Sequence, residues 1–110
     1  MLSFRQQTGL YEIRKTREFE TRLLALKDRA VSRRVKAGIE RAEGGNFGDH
    51  RPERDGVHSM RFRTLGIRVY YCQVGNRVYM LLSGGGKNTK QEQTRDIDHA
   101  VEIMEREMGR

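Results

Sequence analysis

From Val57 to Lys87 the chain reads VHSMRFRTLGIRVYYCQVGNRVYMLLSGGGK, three short apolar runs parted by the pairs Leu65-Gly66 and Gly75-Asn76. Turns this tight join antiparallel neighbours, so the stretch predicts a three-stranded meander. In the first run Met60 and Phe62 alternate with Ser59, Arg61 and Arg63, which makes one face apolar and the other cationic. The second run, IRVYYCQV, is apolar or aromatic on both faces, as expected of a central strand covered on both sides. The third, VYMLLS from Val78 to Ser83, is equally apolar and runs into Gly84, Gly85, Gly86 and Lys87.

Ahead of this region the period is helical. Residues 1–9 form a polar lead-in, and Leu10, Tyr11 and Ile13 suggest a short strand ending at Arg14 and Lys15. Thr16 offers an N-cap, and Glu18 opposes the dipole of a helix expected over Arg17 to Asp28, with Phe19, Leu23, Leu24 and Leu26 as its apolar stripe. Val31, Val35, Ile39 and Ala42 keep three-to-four spacing, predicting a second helix from Ala30 to Glu43, antiparallel to the first. Gly44 and Gly45 end it, and GGNFGDHRPERDG, through Gly56, reads as a loop. After the glycines a polar linker, NTKQEQT, leads to a last helix expected to begin near Thr94 or Arg95, with Ile97, Ala100, Val101, Met104 and Met108 inward. The order strand, helix, helix, three-stranded meander, helix is that of a single α+β domain spanning residues 1–110.

The formal net charge is +7, which favours anionic partners such as RNA, DNA, an acidic protein or a lipid surface. Residues 96–110 stand apart, with 2 basic against 5 acidic groups, so the last helix presents either a solvated face or one that docks on the basic body. Cys72 is the single cysteine, which excludes an internal disulfide and a cysteine-based zinc cage and fits a reducing cytoplasm. No stretch resembles a signal peptide or reaches the roughly eighteen apolar residues of a membrane span, so a soluble, cytoplasmic protein with no membrane partner is expected. Neither a metal cluster nor a cofactor motif is evident. The run GGGK lacks the GxxxxGK[ST] spacing of a nucleotide-hydrolase loop.

Arginine binds phosphate through a planar fork of donors and stays charged at physiological pH, so Arg61, Arg63 and Arg68 on one small sheet predict a grip on a phosphate chain. Arginine is a poor base. Candidates for proton transfer are His50, His58, Tyr70, Tyr71 and Lys87 or Lys90. His58 shares parity with Met60 and Phe62 and is expected toward the core side, whereas Tyr70 shares the face of Arg68 and suits base stacking. Arg33, Arg34 and Lys36 on the second helix are either a solvated face or a track for nucleic-acid phosphates.

Several motifs in this order resemble the RelE/ParE superfamily of toxin–antitoxin toxins, in particular its HigB-like "addiction module killer" branch. They are the helix start TREFETRLLALKDRAVSRRVKAGIERAEGGNFGD, the G-V-x-x-x-R strand from Gly56 to Arg61, I-R-V-Y-Y from Ile67 to Tyr71, L-L-x-G-G from Leu81 to Gly85, and D-I-x-x-A from Asp96 to Ala100. The resemblance covers about Tyr11 to Met104 and implies a small, metal-independent mRNA endoribonuclease, an mRNA interferase that acts in the ribosomal A site and contacts rRNA. It also implies inhibition by a cognate antitoxin of small helix-turn-helix type. Carried over by residue, it makes Arg61 and Arg68 catalytic, together with Lys87 or Lys90, between which the spacing leaves the choice open. His50, Arg51, Arg63 and Tyr70 are the residues expected on the RNA.

Two departures stand out. Ser59-Met60-Arg61 replaces the branch's E-L-R, removing a carboxylate, and Arg51 replaces a lysine after Gly-Asp. The alternatives are a ParE-type gyrase-inhibiting toxin without nuclease activity and a catalytically decayed RNA-binding module.

Overall fold

A computed structural model describes residues 10–85 and 89–109. The first strand, β1 (Glu12–Lys15), leads into helices α1 (Arg17–Leu24) and α2 (Arg29–Glu43). Strands β2 (Asp49–Arg54), β3 (Val57–Phe62), β4 (Ile67–Val74) and β5 (Arg77–Gly85) follow, and helix α3 (Lys90–Glu107) closes the chain. The expected α+β order holds, with one strand more than the sequence suggested.

Helix α1 stops at Leu24 rather than Asp28 because Asp28 serves α2 instead. Its carboxylate accepts from the Ala30 and Val31 amides at 2.9 and 3.4 Å, a capping role that requires extended backbone. Thr16 ties α1 to the sheet. Its hydroxyl donates to the Leu81 carbonyl (2.7 Å) while its oxygen accepts from the Phe19 amide (3.1 Å).

The segment expected as a loop up to Gly56 contains β2. It pairs antiparallel with β3, from Asp49 opposite Arg61 to Arg54 opposite Val57, with an irregularity between Pro52 and Arg54. Asp55 and Gly56, at φ of 52° and 89°, turn the chain between them. Strand β2 escapes an alternation test because it is an edge strand, wet along most of its length and carrying a proline whose missing N–H only an edge can tolerate.

Helix α3 likewise begins at Lys90, four or five residues before the expected start. Thr89 and Glu92 form a reciprocal capping box, with Glu92 N–H to Thr89 Oγ1 at 3.1 Å and Thr89 N–H to Glu92 Oε1 at 2.7 Å. The polar composition of NTKQEQT concealed that box.

The sheet order is β1-β5-β4-β3-β2, with β1 parallel to β5 and the other pairs antiparallel. Strand β4 is therefore the middle strand, which explains its apolar residues on both faces. One face packs Met60, Ile67, Val69, Tyr71, Val78 and Met80 under Phe19 and Leu23 of α1 and Val35, Ile39 and Ala42 of α2. The other packs Val57, Tyr70, Cys72, Leu81 and Leu82 under Ala100 and Ile103 of α3. Each large side chain so buried stabilises the fold by about 1.5–3 kcal/mol.

Between Tyr70 and Tyr71 the β4–β5 register slips: Tyr70 faces Leu82 and Tyr71 faces Met80, which leaves Leu81 as the extra residue. The slip sets Gly84 opposite Arg68.

The acidic last helix docks on the basic body. Arg22 reaches Asp96 (3.4 Å) and Arg54 pairs with Asp98, while in the opposite sense Arg106 of the last helix forms a fork with both oxygens of Glu18 on α1 (2.6 and 3.0 Å). Among the described residues no helix is long and apolar enough to cross a membrane.

Candidate functional site

Strand pairing brings the two predicted arginines together. Arg61 of β3 and Arg68 of β4 are register partners, and Arg68 is in turn opposite Gly84 of β5. Residues directly opposite in an antiparallel pair project to the same face, their Cα atoms about 4.5–5.5 Å apart. Tyr70 of this face, in the row next to the arginines, lies in the core under α3. Gly84 belongs to the arginine row, and its lack of a side chain lets the Asp96 carboxylate approach closely.

Arg61, Arg63 and Arg68 line one cavity of about 240 Å³ with Gly66 and Ile67. Arg61 also borders a smaller cleft, about 110 Å³, that includes Arg41, Phe47 and Asp49. The Nε of Arg61 is buried and meets no acceptor among the described residues. Asp49, its register partner on β2, is engaged elsewhere: Arg63 Nε holds it at 2.6 Å, and that bond keeps the Asp49 carboxyl below the usual carboxylate range, with Arg63, Arg61 and Arg51 adding favourable charge.

Arg51 is opposite Ser59 and its side chain is half exposed, with Nε 3.3 Å from Glu53 Oε2. His50 is opposite Met60, on the other side of β2, where its Nδ1–H donates to the Gly48 carbonyl (2.8 Å) and its ring meets Phe47 edge-on. His58 stacks on Tyr71, also away from the arginine row. Tyr70 is only 1% exposed and offers no free ring face to a base. Burial, together with Asp96, pushes its hydroxyl up to about 12 against the opposing pull of Arg68.

Lys90 is exposed at the first turn of α3, beside Gln91, Thr94 and Arg95, in a hollow that does not include Arg61 or Arg68. Lys87 lies outside the described residues. Cys72 is a buried core thiol. Among the described residues no three His, Cys, Asp or Glu side chains converge to hold a metal ion.

Sequence reasoning missed Glu53. Its Oε2 accepts from the fully buried Ser59 hydroxyl at 2.7 Å, and its charge raises the Tyr70 hydroxyl alongside Asp96. A carboxylate therefore stands beside Ser59, delivered from the neighbouring strand. The Asp55-Gly56 turn was the signal that could have exposed it, because such a turn folds Arg51 back across Ser59.

No protein-family model matches the chain. Its architecture, a five-stranded sheet with two helices on one face and a C-terminal helix on the other, is shared with RelE toxins of solved structure. A chain of the toxin–antitoxin complex RelBE2 from Mycobacterium tuberculosis superposes with a TM-score of 0.59 at 18% identity, over 74% of this chain and 98% of that one. The isolated E. coli RelE toxin superposes with a TM-score of 0.58 at 15% identity, over 79% and 98%. Within that fold, the chain belongs to one family with an uncharacterized protein of Haemophilus influenzae, 33% identical over 99 residues that span 89% of this chain and 96% of that protein.

Proposed function

We propose that this chain is the toxin of a type II toxin–antitoxin pair, a metal-independent endoribonuclease that cuts mRNA on the ribosome. The observation that carries the reading is the register pair of Arg61 and Arg68, lining one cavity with Arg63 while the buried Arg61 Nε has no acceptor among the described residues. Two guanidiniums held side by side bind one phosphodiester better than either alone and stabilise the extra charge that develops as a 2′-hydroxyl attacks phosphorus.

Arg51 and Arg63 extend the cationic surface along β2 and past β3, where neighbouring phosphates of the same strand pass. Lys90 supplies a cation at the first turn of α3, and Lys87 stays the other candidate lysine of the site. The partners are mRNA with the surrounding rRNA and a cognate antitoxin that covers the arginine face.

Induced expression should arrest growth, and Arg61→Ala or Arg68→Ala should lower cleavage by about 10²–10³-fold each, the effect of removing one oxyanion donor. Mapping mRNA 5′ ends after induction is the test. Cuts in phase with codons support the reading, whereas intact mRNA with inhibited DNA supercoiling would assign the chain to gyrase instead.

A further inference from the structure

The arginine cavity has a neighbour, the cleft of about 110 Å³ lined by residues of α2, β2 and β3 and of the loop that joins α2 to β2. Arg61 and Phe62 line both hollows, so the two adjoin, and a nucleotide whose phosphate sits against Arg61 and Arg68 has its base within reach of the cleft. The walls are already built. Asn46 N–H donates to the Arg41 carbonyl (3.0 Å) and Asn46 Oδ1 accepts from the Gly48 amide (3.0 Å), which ties the loop to the end of α2. Phe47 is held edge-on by Tyr11 at 5.4 Å and stacked by Tyr71 at 5.2 Å. A Cβ on Gly38 would overlap the Phe62 ring and come 3.6 Å from Arg41 Nη2, so only a glycine lets that ring and that guanidinium share the wall.

The polar groups of the cleft are of two kinds. Asp49 supplies acceptors: Arg63 engages its Oδ2 at 2.6 Å, and a carboxylate, with about four lone-pair sites, keeps capacity for more. Donors come from Arg41, whose guanidinium is in no ion pair among the described residues, and from the buried Arg61 Nε, which meets no acceptor among them. A buried donor without an acceptor costs the fold stability, and a ligand atom placed there removes that cost.

The volume admits the edge of one base rather than a whole nucleotide. Among the four RNA bases only guanine sets two donors side by side, N1–H and N2–H2, with the acceptors O6 and N7 next to them. Adenine and cytosine carry a lone pair beside the amino group, and uracil flanks its N–H with carbonyls, so each turns an acceptor toward a carboxylate. Phe47 and Phe62 supply the apolar contacts that an inserted ring needs.

We infer that this cleft reads a guanine next to the scissile phosphate, Asp49 accepting from N1–H and N2–H2 and Arg41 donating to O6. The inference deepens the endoribonuclease reading above and rests on it for the position of the cut. Arg63 positions Asp49 and keeps it ionised.

The test programs ribosomes with short mRNAs that differ only in the base on one side of the cut, then only on the other. Cleavage by the purified full-length chain is followed for wild type, Asp49→Asn and Arg41→Gln, with melting temperatures alongside. Wild type should cut the guanine RNA with a kcat/KM about 10- to 100-fold above the other three at one of the two positions. Asp49→Asn, whose amide turns a donor toward guanine's donors, should reduce that ratio to within about threefold, and Arg41→Gln should fall between. Rates within about twofold for all four bases at both positions, a preference for another base, or a guanine preference untouched in Asp49→Asn each overturn the assignment. Should Asp49→Asn not fold, Arg41→Gln decides by the same ratio.

A titration of the 15N-labelled wild-type chain with guanosine 3′-monophosphate, against the adenosine, cytidine and uridine 3′-monophosphates, separates the cleft from the chemistry. Amide shifts at Phe47 and Asp49 with the guanine nucleotide alone support the subsite even if the chain cuts nothing, a result that removes only the endoribonuclease reading. Equal shifts with all four nucleotides, or none, overturn the subsite whether or not the chain cleaves.

Discussion

Arg61 and Arg68 face each other across the antiparallel register of β3 and β4, like charge against like charge on one side of the sheet. Opposed like charges destabilise a strand pair by about 0.2–1 kcal/mol, and the carboxylate opposite Arg61 on β2 is already bound by Arg63. The fold therefore gains little from Arg61. Arg61→Met should melt at or slightly above the wild-type temperature while losing the growth arrest, and a thermal melt run beside a plate assay reads both. A large drop in stability would mean that Arg61 is structural.

Gly84 lies under α3 where a Cβ would overlap the Asp96 carboxylate and crowd the Tyr70 ring. Gly84→Ala must push Asp96 away from Arg22 or lift the start of the helix, at a cost of about 1–3 kcal/mol typical of overpacking. Urea titration followed by circular dichroism measures it. An unchanged midpoint would show that α3 moves freely there.

Glu18 is held by the Arg106 fork, which lowers its carboxyl from 4.5 to about 2 in the folded chain. A carboxyl depressed by folding adds stability above its unfolded value and loses it as pH falls through the folded one. Wild type should thus exceed Glu18→Gln in melting temperature at pH 7, with the gap narrowing between pH 4.5 and about 2. A gap independent of pH would assign the effect to packing.

Burial pushes the Cys72 thiol up to about 11. At pH 8 only about a thousandth of it would be thiolate, so alkylation of the folded protein should be slow and should accelerate on adding denaturant. Rapid labelling in native buffer would contradict the packing of Cys72 under α3.

Much of the fold was legible because the helices bury one stripe and the strands alternate between two differently packed faces. Met60 and Phe62 alternate with Ser59 and Arg61, and Phe19 and Leu23 or Val35, Ile39 and Ala42 recur at helical spacing, since the core imposes those periods. Strand β2 left no such trace: its residues face water on an edge, and its pairing with β3 comes from the Asp55-Gly56 turn rather than from hydrophobicity. The start of α3 was hidden for a related reason, because a capping box works through hydrogen bonds among polar residues that otherwise read as linker.

The sequence alone determined that Arg61 shares a face of its strand with Ser59 and that Arg68 shares one with Tyr70, because strand parity is a local property of the backbone. Which strand brought Asp49, Arg51 and Glu53 to them, and that Asp49 would be taken by Arg63 and Glu53 by Ser59, was decided only in the assembled sheet. The physical reason is that side-chain direction follows from the residue's place in its own strand, whereas the partner of a charge depends on the register between strands. That register is fixed by a turn, by a slip opposite Tyr70 and by the packing of both faces at once.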